Sequence, residues 1–124
     1  MKGMPYQVKK TTQRIQETLQ IDDNGTLVNI PVDIYVDDVV RDYVRVTDQL
    51  KNVGADPEKL GTAVIEMMQL VFGVEGANKI LDLYQNRYMD MIGDIYPFVK
   101  DVVEPKLIKA MKEKTARYTS LLNR

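Results

Sequence analysis

Asp90 and Asp94 stand four residues apart, as do Asp38 and Asp42, so on a helix each pair sets two carboxylates on one face. Two carboxylates can hold a cation or divide acid and base work, but either use needs a third ligand or a group that titrates near neutrality. The chain has no histidine and no cysteine, which takes away the commonest general base, the thiolate nucleophile, the usual zinc ligands and any disulfide. Ser120 is the only serine, and neither a nucleophile elbow nor a glycine-rich phosphate loop occurs. The carboxylate pairs therefore read as solvated helix faces, and no catalytic, cofactor-binding or metal-binding residue is assigned.

Two further groupings invite chemistry. Asp22-Asp23-Asn24-Gly25 begins like a calcium loop, yet the later spaced ligands and the closing glutamate of an EF-hand are missing, so the tetrapeptide is read as a turn. Lys106, Lys109, Lys112, Lys114 and Arg117, with Tyr118, offer cations and a stacking aromatic to a nucleic acid. An acidic pI of about 5.4 and the lack of any recognition motif argue against that use. What remains is a chain built for packing and binding, with no residues set up for turnover.

The elements that must position these groups fit one domain. A length of 124 residues supports one real core, and 44% apolar with 28% charged residues is ordinary for a folded globular protein. The N-terminal stretch has no apolar h-region and nowhere do eighteen apolar residues run together, so neither secretion nor membrane insertion is expected. Charge is unevenly spread: residues 1–14 carry a net +4, residues 15–99 a net −9 and residues 100–124 a net +4. Basic ends around an acidic middle suit neutralisation within the chain or head-to-tail contact between copies.

Residues 1–12 are polar and basic without periodicity and are expected to form a flexible arm. From Gln13, Ile15, Leu19 and Ile21 alternate with polar residues, and after the turn Val28, Ile30, Val32 and Ile34 do the same. A two-residue type I′ loop at Asn24-Gly25 puts Ile21 opposite Val28, Leu19 opposite Ile30 and Ile15 opposite Ile34, leaving only Val32 without an apolar partner. Pro31 cannot donate to a ladder and marks an edge.

Beyond the hairpin the spacing is helical. Asp37 is a candidate cap for a first helix that stops at Asn52-Val53-Gly54, and Asp56-Pro57-Glu58 is a clearer start for a second that Gly73 should end. A short helix from about Glu75 to Tyr84, another opened by Asn86, and a last one kinked or restarted at Pro105 follow. The expectation is a mainly α protein with an N-terminal β-hairpin (α+β), a compact bundle of about four to five helices. Its single domain covers 13–124, with the hairpin at 13–36 and the helical part at 37–124.

The second half carries a run of landmarks: Phe72-Gly73, Ile80-Leu81, Leu83-Tyr84, Tyr88, Met91, Ile95, Pro97-Phe98 and Pro105-Lys106. This order, after an N-terminal hairpin in a small acidic protein, resembles the tail assembly chaperones of long-tailed bacteriophages, especially those of phages and prophages of Gram-positive hosts. The resemblance implies a non-enzymatic protein of the host cytoplasm that coats the helical tape-measure protein and self-associates into rings or spirals, with no cofactor and no catalytic residues. The hairpin departs from wholly helical members. On this reading the partner-binding candidates are Tyr84, Tyr88, Met89, Phe98, Met111 and Tyr118, aromatic and methionine side chains with large adaptable area. The alternative is a small nucleic-acid-binding or regulatory accessory protein of a mobile element.

Overall fold

The computed structural model describes residues 3–54 and 56–123; Met1, Lys2, Ala55 and Arg124 lie outside the described residues, the first two being part of the expected arm. Residues 3–13 have no regular secondary structure, and 3–12 are exposed throughout.

Strands β1 (Arg14–Asp23) and β2 (Thr26–Tyr35) form an antiparallel hairpin in the register that the alternation predicts, with Ile21 facing Val28, Leu19 facing Ile30 and Ile15 facing Ile34. Asn24 and Gly25 both take positive φ, at 52° and 93°, as a type I′ loop demands, and the Gly25 N–H donates to Asp22 Oδ1 at 2.7 Å. The inner face of β2 is covered from Ile30 onward: Ile30, Val32 and Ile34 are all buried, and Val28 nearer the tip is half-buried. On β1 only Ile15 is buried, while Glu17, Leu19 and Ile21 remain half-buried. The helices sit over β2 and leave β1 at the rim.

The ladder runs straight into α1 (Val36–Asn52), because the Val36 N–H donates to Gln13 O at 3.0 Å in continuation of the strand register. Asp37 is therefore not a cap as expected; it lies inside the first turn with Asp38, where acidic side chains favour the helix dipole. Helix α2 (Pro57–Tyr84) starts as the sequence indicates, with Asp56 accepting from the N–H groups of Glu58 at 3.1 Å and Lys59 at 3.3 Å.

Three helices follow the hairpin, not four to five. Gly73, at φ 74° and ψ 172°, leaves the helical conformation and interrupts α2 where a stop was expected, but the segment from Glu75 resumes directly across this kink and counts with α2 as one element. Asn86 does not open a helix either: Gln85 and Asn86 both take positive φ and form the turn after α2. The remainder is one continuous element, α3, made of Tyr88–Phe98, a π-helical turn Val99–Val103 and Glu104–Leu122. A proline ring in a regular α-helix collides with the carbonyl four residues earlier. Just before Pro105 the Glu104 N–H bonds instead to Val99 O, five residues back, and this wider turn lets the helix run on where a kink or restart was expected.

Helix α2 is central, packing against β2, α1 and α3. Val64, Met67, Met68, Val71, Ala77 and Ile80 from α2 meet Met91, Ile95, Val99, Val103 and Leu107 from α3 in a single continuous core. Gly76 brings α2 close to the hairpin, since a Cβ there would lie 3.2 Å from Ile30 Cγ2.

Candidate partner-binding surface

The candidate residues divide into two groups. Tyr84, Tyr88 and Phe98 belong to the α2–α3 contact and are half-buried. Phe98 stacks on Phe72 with ring centroids 6.0 Å apart and planes inclined by 22°. The Tyr88 ring lies on Gly61, where an added Cβ would come within 2.9 Å of it. Tyr84 donates its hydroxyl to Asp94 Oδ2 at 2.8 Å, and burial together with that carboxylate pushes the phenol up to about 12. These three rings lie in the contact between α3 and α2 and are only partly open to a partner.

Met89, Met111 and Tyr118 are free of the core, with Met89 69% and Tyr118 65% exposed. Met89 and Tyr118 stand some 29 residues apart on α3, roughly 40 Å at 1.5 Å per residue, so the candidates do not form one patch. The C-terminal group acquires neighbours that spacing alone had not brought in. Ile108, Met111, Tyr118 and Leu122 recur at helical intervals and are all exposed, with Leu121 beside them. From Met111 onward α3 has no buried residue, and its contacts with α1 and the start of the hairpin are polar ones through Glu113 and Lys114. The signal for this stripe was in the sequence; what the sequence lacked was the length of the core beneath it.

Polar contacts anchor the start of this overhang to the hairpin and α1. Lys106 pairs with Glu17, Lys114 Nζ lies 3.0 Å from Asp37 Oδ2, and Gln13 Nε2 donates to Glu113 Oε2 at 3.2 Å. Among the described residues Lys109, Lys112 and Arg117 have no carboxylate within salt-bridge distance. A cleft of about 540 Å³ separates the start of β1 from α3, lined by residues 12–16 together with Lys106, Lys109 and Glu113. It has no converging acid, base and nucleophile.

The carboxylate pairs are spent on ordinary contacts. Asp94 takes the Tyr84 hydroxyl, and Asp42 stands 3.7 Å from Arg45, which also reaches Glu66 at 3.0 Å. Among the described residues no group of three histidine, cysteine, aspartate or glutamate side chains could hold a metal ion. Helix α2 is long and apolar enough by composition to cross a membrane, but half of that window is buried inside the protein's own fold. Compared with known proteins, the chain matches no family model, no curated protein and no solved structure.

Proposed function

We propose that this chain is a non-enzymatic binding protein that covers apolar stripes on an elongated helical partner, and that it acts as a phage tail assembly chaperone on a tape-measure protein in the host cytoplasm. The observation that carries the reading is the end of α3, a solvent-exposed row of Ile108, Met111, Tyr118 and Leu122 with cations alongside, in a helix that has no buried residue from Met111 onward. Such a row is suited to lying along a second amphipathic helix, where repeated modest contacts add up without any chemical step. The order of hydrophobic and proline landmarks from Phe72 to Lys106 supports the family assignment within this reading.

Co-expression with a tape-measure protein tests it. The partner should move from the insoluble to the soluble fraction with the intact chain and stay insoluble with a Met111→Ser/Tyr118→Ser variant. Equal insolubility with and without the intact chain would overturn the proposal. The unpaired Lys109, Lys112 and Arg117 favour the second reading, a nucleic-acid accessory protein, but Lys106 and Lys114 are neutralised within the fold. Binding to a DNA or RNA oligomer that weakens steeply with salt would distinguish that reading.

A further inference from the structure

The two free edges of the hairpin are not equivalent. Odd-numbered residues of β1 face β2 across the hydrogen-bonded pairs, a parity that the Val36 N–H to Gln13 O bond continues. Pro31 pairs with Thr18 at a non-bonded position, so its missing N–H lies on the outer edge of β2 and blocks that edge to another strand. On β1 the outward groups belong to Arg14, Gln16, Thr18, Gln20 and Asp22, none of them proline. Among the described residues no backbone group outside the hairpin bonds to them. Lys106 and Lys109 of α3 approach the beginning of β1, and further along Thr18, Gln20 and Asp22 are exposed, with Leu19 and Ile21 half-buried on the inner face next to them.

The same chain carries a segment that fits this edge. Within the arm, whose sequence as a whole was read as lacking periodicity, the short stretch Met4, Tyr6 and Val8 does alternate with Pro5, Gln7 and Lys9 in strand period, and the three are 93%, 93% and 75% exposed. We propose that the arm of a second copy adds to the outer edge of β1 as a third, parallel strand, with Tyr6 beside Leu19 and Val8 beside Ile21. Hydrogen-bond direction, side-chain cover and the placing of Pro5 are all satisfied together by this arrangement. In a parallel pair, a residue sharing a face with Leu19 or Ile21, which turn towards β2, directs its own N–H and C=O at β1. Met4, Tyr6 and Val8 then supply the hydrogen bonds while their side chains cover the bare inner face, and Pro5 points away from β1, where its missing N–H costs nothing. The antiparallel alternative fails on one count or the other: with the apolar side chains inward, Pro5 faces the ladder, and with Pro5 outward, the apolar side chains face solvent.

Charge sets the register. Continuing from Val8 beside Ile21, Lys9 and Lys10 come against Asp22 and Asp23 at the hairpin tip. Orientation selects the donor. A parallel neighbour needs a crossover of a dozen or more residues, and the arm enters β1 directly at Gln13, so a chain cannot place its own arm there. The donor is another copy. Donor and acceptor are different surfaces of one chain, so the contact either is exchanged between two copies or propagates into a larger assembly. None of this depends on which helical partner the protein serves.

Because the chain has no cysteine, introduced thiols report the contact cleanly. Mixing Val8→Cys with Ile21→Cys full-length protein under mild oxidation should give a disulfide-linked heterodimer, whereas Met4→Cys mixed with Ile21→Cys should not. The reverse preference would overturn the parallel register. In sedimentation at micromolar concentration, deletion of residues 2–11 should weaken self-association about tenfold or more with unchanged circular dichroism. Thr18→Pro, which blocks the edge without touching a hairpin bond, should do the same, and Thr18→Ala should not. The deletion and Thr18→Pro proteins together, one lacking the donor and the other the acceptor, should form a one-to-one heterodimer. Self-association that survives the arm deletion, or a full chain that is strictly monomeric, would overturn the proposal even if Thr18→Pro failed to fold.

Discussion

Lys106 on α3 pairs with Glu17 on the inner face of β1, directly across the hairpin from Val32. This accounts for the one position at which the apolar alternation of the strands fails. The Glu17 side chain is 28% exposed, so the pair sits at the rim of the core and ties the last helix to the first strand. Partly exposed pairs contribute little, about 0–1 kcal/mol, and less as salt rises. Lys106→Ala should lower the melting temperature slightly, and Glu17→Val should leave it unchanged or raise it, because a β-branched residue then faces Val32. A large loss in the second variant would show that the charge pair specifies the docking of α3.

Val64 is completely buried on the central helix. Val64→Asp should destabilise by several kcal/mol, since a carboxylate without a partner there must either be desolvated or take up a proton. Chemical denaturation checks this, and a variant of unchanged midpoint would mean that the face of α2 has been misassigned.

The hydroxyls of Tyr43 and Thr47, one turn apart on α1, are buried and make no well-formed hydrogen bond among the described residues, although Thr47 and the Glu104 carboxylate lie close to the Tyr43 hydroxyl. Burial, aided by the nearby Glu104 carboxylate, raises the Tyr43 phenol. Tyr43→Phe keeps the ring and removes the unsatisfied group, and should stabilise the fold by about 1 kcal/mol, read as an upward shift in denaturation midpoint. A loss of the same size would show that the hydroxyl is satisfied in solution.

Tyr84 gives the pH dependence its sign. Its folded-state phenol is pushed up to about 12 by burial and by Asp94, so the unfolded chain loses this proton first as pH rises. The stabilisation is complete below the ordinary tyrosine range near 10 and fades as pH climbs through about 12. Tyr84→Phe should therefore flatten part of the alkaline fall in stability and remove one late phenolate transition from the ultraviolet titration. An unchanged alkaline limb would count against the Tyr84–Asp94 contact.

The exposed row on α3 separates binding from stability. Met111→Ser with Tyr118→Ser should change stability by no more than about 0.5 kcal/mol per site, because neither side chain lies in the core. The same variant should lose capture of the helical partner. Intact binding in a folded double variant would move the interface elsewhere.

The hairpin and its register were legible because a period of two is unambiguous when both strands carry it and Asn24-Gly25 fixes the loop. The start of α2 was legible for a similar local reason, the Asp56 cap followed by Pro57. The helix count was not. Gly73 was read as a stop and does break the helical backbone, but the chain resumes α2 directly across the kink; Pro105 was read as a kink or restart and is accommodated by the π-helical turn before it. A signal for that turn did exist. Met91, Ile95, Val99, Val103 and Leu107 recur every four residues, and on a regular helix such a row would wind about 160° around the axis. A locally wider turn brings it back into line. The exposure of the partner-binding candidates was not legible, since residue type found the aromatic and methionine positions but could not say that Tyr84, Tyr88 and Phe98 are half-buried between α2 and α3 while Met89, Met111 and Tyr118 are exposed.

That overhang has a thermodynamic consequence. The last three turns of α3, from Met111 to Leu122, have no buried side chain to hold them, and an isolated helix of that length is marginal in water. Their amides should exchange with solvent far sooner than those of α2, and their helicity should rise when the apolar row is covered. Ordering this segment draws on the free energy of each contact, which keeps individual contacts weak and readily reversed. Under the proposed chaperone role, in which the chain coats a partner and is later displaced, a binding element that folds on arrival and melts on release is an advantage.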